Sequence, residues 1–258
     1  KEKMDLPFYA DESTDNGKRY AECMKTTALK VTRSMQRSNF KVLMVTAALA
    51  NEGKSSVALN LARYIKSGNP DKNVALVDLD LRKLSLSKMT NNNENYCPID
   101  KLFEQPKTVK KHVENKVPRV QSESSSKKIK LMFAENPKDV VIFGSKTPCR
   151  TPERNLNNDK MRDFMKELRE IADYVIIDSP PCAITTDPLI ISEYCDSILF
   201  VIRQDSTHRW TILDCLNNIS TRGCNIIGGV LNAAKESLLD QSGYYGYGHY
   251  GRYGKYGY

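Results

Sequence analysis

The sequence predicts an α/β fold, a mainly parallel sheet with helices on both faces, and three observations predict it. Short apolar runs recur along the whole chain, at Val42–Val45, Val74–Val77, Val140–Phe143, Tyr174–Ile177, Ser197–Ile202 and Asn225–Leu231. Their continuous apolar character suits strands buried on both faces. Segments with helical spacing alternate with them, which is the order that covers a parallel sheet on two sides. Polar residues gather where several runs end, and in such sheets the carboxyl ends of the strands lie on one edge.

Taken in order, Lys1–Asn16 is polar and expected to be flexible. Residues 17–240 are expected to form the main domain. Tyr20, Met24, Ala28 and Val31 recur at helical spacing within a helix predicted from Arg19 to about Met35. The strand Lys41–Thr46 leads into Asn51-Glu52-Gly53-Lys54-Ser55-Ser56, and a helix follows over Gly53–Ser67. Strand, Gly-Lys-Ser loop and helix are the context of a phosphate-binding loop, so the fold is read as P-loop NTPase-like. The first N–H groups of the helix have no intrahelical partner, and with the helix dipole they make an anion site from Asn51 to Ser56. Lys54 adds a charge for the β/γ-phosphates of ATP, and the Ser55 hydroxyl is placed to reach Mg²⁺. Ala48 stands where the usual pattern has its first glycine. Asn51, which tolerates positive φ, keeps a tight loop possible.

The second run ends in Asp78-Leu79-Asp80-Leu81-Arg82 and the later one in Asp178. Acidic residues often begin turns, but D-x-D followed by Arg, directly after a phosphate-loop unit, favours a functional reading. Asp178 has the layout of a Walker B carboxylate, which holds Mg²⁺. Between them, Ser85–Lys130 reads as a flexible, basic excursion, with nine Lys/Arg against three Glu from Lys101 onward. Helices are predicted at Asn158–Ile171, from Asp187, and at His208–Thr221. The end of the chain changes character: residues 241–258 are expected to be disordered. Gly243–Tyr258 carries seven of the chain's 13 tyrosines (Tyr244, Tyr245, Tyr247, Tyr250, Tyr253, Tyr256 and Tyr258) among six glycines. Exposed hydroxyls on a supple backbone are what a multi-site phosphate acceptor needs.

Composition narrows the alternatives. The 258 residues suffice for one large domain with a real core. The seven cysteines are scattered without a CxxC pair, which reads as reduced thiols, not a zinc site or disulfide framework. No apolar run is long enough to span a bilayer. The net charge of +8 is compatible with a membrane-proximal role or with plain solubility. No nucleic-acid module accompanies it, so nucleic acid is not expected as a partner.

With these motifs in place, the chain from about Tyr20 to Tyr258 resembles the bacterial tyrosine kinases of capsule and exopolysaccharide biosynthesis. Ala48–Ser56 corresponds to Walker A, Val77–Arg82 to the second acidic motif, Tyr174–Asp178 to Walker B, and the tail to the tyrosine cluster. The resemblance implies a MinD/ParA-like P-loop fold. It implies that Lys54 binds phosphates, that Ser55, Asp80 and Asp178 organise Mg²⁺, and that Asp78 accepts the tyrosine proton. It further implies trans-phosphorylation of the tail in a ring-like homo-oligomer, a membrane adaptor as activator at the inner face of the membrane, and a cognate phosphatase. There are three departures from the family pattern: Asn51 replaces a glycine, Lys25 and Ala28 follow Glu22 where relatives carry arginines, and Arg82-Lys83-Leu84 lacks the proline common after the second acidic motif. The competing classes are a MinD/ParA-like ATPase without kinase activity and a catalytically weak scaffold whose tail another kinase modifies. The first characteristically has a lysine where this chain has Ala48 and has no use for the tail. Mg-ATP binding separates the second.

Overall fold

The computed structural model describes residues 14–90, 95–100, 129–134, 138–221 and 223–234. The tyrosine cluster and residues 1–13 therefore lie outside the described residues. Seven strands form one sheet: β1 (Val42–Ala47), β2 (Val74–Asp78), β3 (Tyr96–Pro98), β4 (Val141–Gly144), β5 (Tyr174–Asp178), β6 (Ser197–Arg203) and β7 (Asn225–Asn232). Their order is β3-β4-β2-β5-β1-β6-β7, and every pairing is parallel. The helices are α1 (Asp15–Arg37), α2 (Lys54–Gly68), α3 (Ser85–Thr90), α4 over residues 129–134, α5 (Pro152–Leu156), α6 (Asp159–Ile171), α7 (Asp187–Ile191) and α8 (Arg209–Ser220).

Strand alternation divides the interior into two cores. Leu43, Val45, Leu76 and Ile176 point to one side, where Met24, Val31 and Met35 of α1 and Leu61 and Ile65 of α2 cover them. Val42, Met44, Val77 and Ile177 point to the other, against Phe164 and Leu168 of α6 and Cys215 and Ile219 of α8. Both faces are thus covered, as the uninterrupted apolar runs require. Local signals set the helix ends. The Asn158 side chain accepts from Met161 N at 2.7 Å and caps α6. The Asp196 carboxylate accepts from the N–H groups of Lys41 and Val42, both at 2.8 Å, and pairs with Arg169, tying the start of β1 to the loop before β6.

One sequence expectation differs from the structure. Ser85 does not open a flexible excursion: 85–90 form α3 and 96–98 form β3, a seventh strand added beside β4. The run Tyr96-Cys97-Pro98 is too short and too mixed to announce a strand, and its pairing with Ile142–Gly144 makes it one. Residues 101–128 lie outside the described residues. All seven cysteines are free thiols. Among the described residues, no helix is long and apolar enough to cross a membrane.

Candidate active site

The β1–α2 loop has the conformation that its sequence allows and little else would. Asn51 adopts φ 65° and Gly53 φ 94°, both in the left-handed region. Asn51 therefore does the work expected of a glycine there, its carbonyl oxygen accepting from Arg203 Nη1 at 3.1 Å. At Gly53 a side chain has no room: a Cβ would stand 2.1 Å from Asn232 Nδ2. That amide donates to Glu52 O at 2.8 Å, so the end of β7 braces the loop. The Glu52 side chain turns inward, with Oε2 accepting from Leu49 N at 2.8 Å and Oε1 from Thr207 Oγ1 at 2.6 Å. Of the loop residues named from sequence, Glu52 thus contributes its backbone to the rim and its carboxylate to the scaffold. Lys54 and Ser55 are buried, whereas Asn51 and Ser56 are exposed. Gly53→Ala is expected to cost about 1–2 kcal/mol of stability from its positive φ alone and to weaken Mg-ATP binding. Chemical denaturation and a nucleotide titration check this, and no change in either would contradict the loop geometry.

Three central strands bring the acidic residues to that loop. β2, β5 and β1 are neighbours, with Asp78 paired to Asp178 and Asp178 to Val45. Lys54 Nζ lies 3.4 Å from Asp80 Oδ2, and both groups are buried. Asp78 is fully enclosed; its Oδ2 accepts from Ser87 N and Ser87 Oγ, each at 2.7 Å, and its Oδ1 from Asp80 N at 3.1 Å. Burial raises its pKa above the usual carboxylate range, against the lowering effect of the Ser87 bonds. Burial, followed by the charge of Asp78, raises the pKa of Asp178 as well. Neither Asp178 oxygen makes a well-formed hydrogen bond, although Ser55 and Lys54 lie near enough to favour its ionised form. Lys54, Ser55, Asp78, Asp80 and Asp178, named from three separate motifs, therefore form one cluster at the carboxyl edge of the sheet.

Arg82, the last residue of the second acidic motif, clamps the loop that carries Asp80. Its Nε and Nη2 donate to Asp187 at 2.8 and 3.2 Å, and Nη2 also meets Glu153. Asp187 is completely buried at the start of α7, so this fork fixes the loop against a second element. Sequence reasoning missed Arg203, Thr207, Asn232 and Ser87. Asn232 alone carried a signal, since it ends an apolar run as Asp78 and Asp178 end theirs.

Mg²⁺ fits this donor set. Asp178 Oδ1 and Oδ2 and Asp80 Oδ2 are buried without a hydrogen bond, and Asp80 Oδ2 has Lys54 as its ionic partner. Hard carboxylate and hydroxyl oxygens suit that ion, which takes one or two protein carboxylates and completes its shell with water and phosphate oxygens. Among the described residues, no group of three or more His, Cys, Asp or Glu forms a metal cage.

A parallel α/β sheet with a phosphate loop at its centre and carboxylates at the ends of two adjoining strands defines a P-loop protein. No family model matches the chain. Sequence relatives do: it is 27% identical over 206 residues to Tyrosine-protein kinase YwqD of Bacillus subtilis, covering 80% of this chain and 78% of the relative. It is 28% identical over 237 residues to Tyrosine-protein kinase ptk of Acinetobacter johnsonii, covering 92% of this chain but only 29% of that protein. Tyrosine-protein kinase CpsD of Streptococcus pneumoniae is 23% identical over 221 residues, 85% of this chain and 87% of its own length. The kinase domain of the Escherichia coli tyrosine kinase ETK superposes with a TM-score of 0.64 at 20% identity, over 91% of this chain and 84% of that domain, and shares the fold. The chain is a homologue of the bacterial tyrosine kinases, matching YwqD and CpsD over most of their length.

Proposed function

We propose that the chain is an ATP-dependent protein-tyrosine kinase that phosphorylates the tyrosine cluster Tyr244–Tyr258 in trans within a homo-oligomer. In this reading it regulates capsule or exopolysaccharide synthesis or export. The observation that carries the proposal is the convergence of Lys54, Asp78, Asp80 and Asp178 on the phosphate loop of a tyrosine-kinase homologue. Bound Mg-ATP supplies the phosphoryl group and the positive charge that offsets its oxygens in transfer. The protein's part is positioning and charge. Backbone N–H groups at the start of α2 and the Lys54 ammonium hold the phosphates. Ser55, Asp80 and Asp178 offer oxygens to Mg²⁺. Asp78, with its pKa raised toward neutrality, takes the proton of the attacking tyrosine hydroxyl. A membrane adaptor as activator, recruitment to the inner face of the membrane and a cognate phosphatase complete the proposal and follow from the family resemblance.

The test is mass spectrometry of the tail after incubation of purified protein with Mg-ATP, beside Lys54→Met. Phosphotyrosine is expected in the first sample and not in the second. If the tail stays unmodified even with an activating adaptor peptide added, the chain is an ATPase or a scaffold instead.

A further inference from the structure

Ser87 reaches Asp78 from outside the three sequence motifs. It stands nine residues beyond Asp78, on α3, and only 3% of its surface is exposed. Both of its donors, the backbone N–H and the hydroxyl, go to the same oxygen, Asp78 Oδ2, at 2.7 Å each. The other oxygen, Oδ1, lies on the Asp80 side, where Asp80 N donates at 3.1 Å. Ser87 is itself held from behind. Tyr96 of β3 donates its hydroxyl hydrogen to Ser145 O at 3.0 Å and packs beside Ser87. Gly144 makes this approach possible, since a Cβ there would lie 2.2 Å from Ser87 Oγ and 3.0 Å from the Tyr96 hydroxyl. A buried oxygen that accepts two short bonds from one residue cannot rotate without losing both.

We infer that Ser87 is a positioning residue for phosphoryl transfer: its hydroxyl clamps Oδ2 of Asp78 so that Oδ1 is the oxygen held on the Asp80 side. The inference rests on the reading of Asp78 as the proton acceptor. Ser87 touches neither phosphate nor tyrosine in this role and acts through the orientation of one carboxylate. The backbone N–H of Ser87 anchors α3 whatever the side chain is, so removing the hydroxyl separates orientation from folding.

The experiment measures tail phosphorylation rate and Mg-ATP affinity for full-chain Ser87→Ala, Ser87→Thr, Gly144→Ala and Asp78→Asn. Ser87→Ala is expected to slow turnover about 10- to 100-fold, the worth of a hydrogen bond to a charged group. Its nucleotide affinity should stay within about twofold, because orientation of the acceptor, not binding, is lost. Ser87→Thr retains the hydroxyl and should restore most of the rate. Gly144→Ala, which crowds the same hydroxyl, should slow turnover in the same way. Unchanged turnover in Ser87→Ala beside an inactive Asp78→Asn overturns the inference while leaving the proton acceptor in place. A matching loss of nucleotide affinity or melting temperature in Ser87→Ala overturns it too, making the contact structural. An active Asp78→Asn removes the underlying reading, and the inference with it.

Discussion

Asp78→Asn is expected to reduce tail phosphorylation by about 10²- to 10⁴-fold, the usual contribution of a positioned general base, while Mg-ATP still binds. The amide occupies nearly the same space and its oxygen can still accept from Ser87, so the α3 anchor survives. Its NH₂ group would then face Asp80 N, a donor against a donor, where Asp78 Oδ1 now accepts. That mismatch costs about 1–3 kcal/mol, offset in part by removing one of two buried, mutually repelling carboxylates. The variant should therefore be folded, nucleotide-binding and nearly inactive. A titration with Mg-ATP, a thermal melt and tail mass spectrometry measure the three properties. Loss of nucleotide binding together with phosphorylation would make Asp78 part of the binding scaffold and remove it as the base.

The order of elements and the central cluster were legible because the physics behind them is local. An apolar run ending in Asp is a buried strand whose last residue emerges at the sheet edge, so Asp78 and Asp178 could be placed without tertiary knowledge. Asn51 was legible for the same reason: its left-handed conformation at φ 65° follows from its own side chain. What was not legible depends on neighbours far away in sequence. β3 exists through its register with β4, not through its propensity. The inward turn of Glu52 requires Thr207, and the bar on a side chain at Gly53 requires Asn232. Arg82 was visible as a motif residue, but its partner Asp187 lies 105 positions away. Spacing rules have no access to such pairs.

Asp178→Asn should separate the cost of the site from its use. The wild-type carboxylate is fully buried beside Asp78, and neither oxygen makes a well-formed hydrogen bond. Its folded-state pKa is raised, chiefly by burial and then by Asp78. A carboxyl with a raised folded pKa binds more protons folded than unfolded, so its contribution to stability falls as pH rises from the ordinary carboxylate range toward the folded pKa. In the absence of nucleotide, stability of the wild type should therefore decline as pH increases through that window, and Asp78 should add to the slope in the same direction. Asp178→Asn removes the ionisation that burial penalises, so at neutral pH the nucleotide-free variant should be more stable, by about 1–3 kcal/mol, or about 2–4 °C in Tm per kcal/mol. The same change removes an oxygen that Mg²⁺ is proposed to need, so Mg²⁺-dependent ATP affinity should fall steeply. Melting curves between about pH 5 and about pH 8, where the linkage acts, and a nucleotide titration with and without Mg²⁺ decide it. A variant that melts no higher than wild type across that range would mean the buried charge carries no net cost. Undiminished Mg²⁺-dependent affinity would take Asp178 out of the metal site. A gain in stability with a loss of ligand would identify the carboxylate as one retained for chemistry at the expense of the fold.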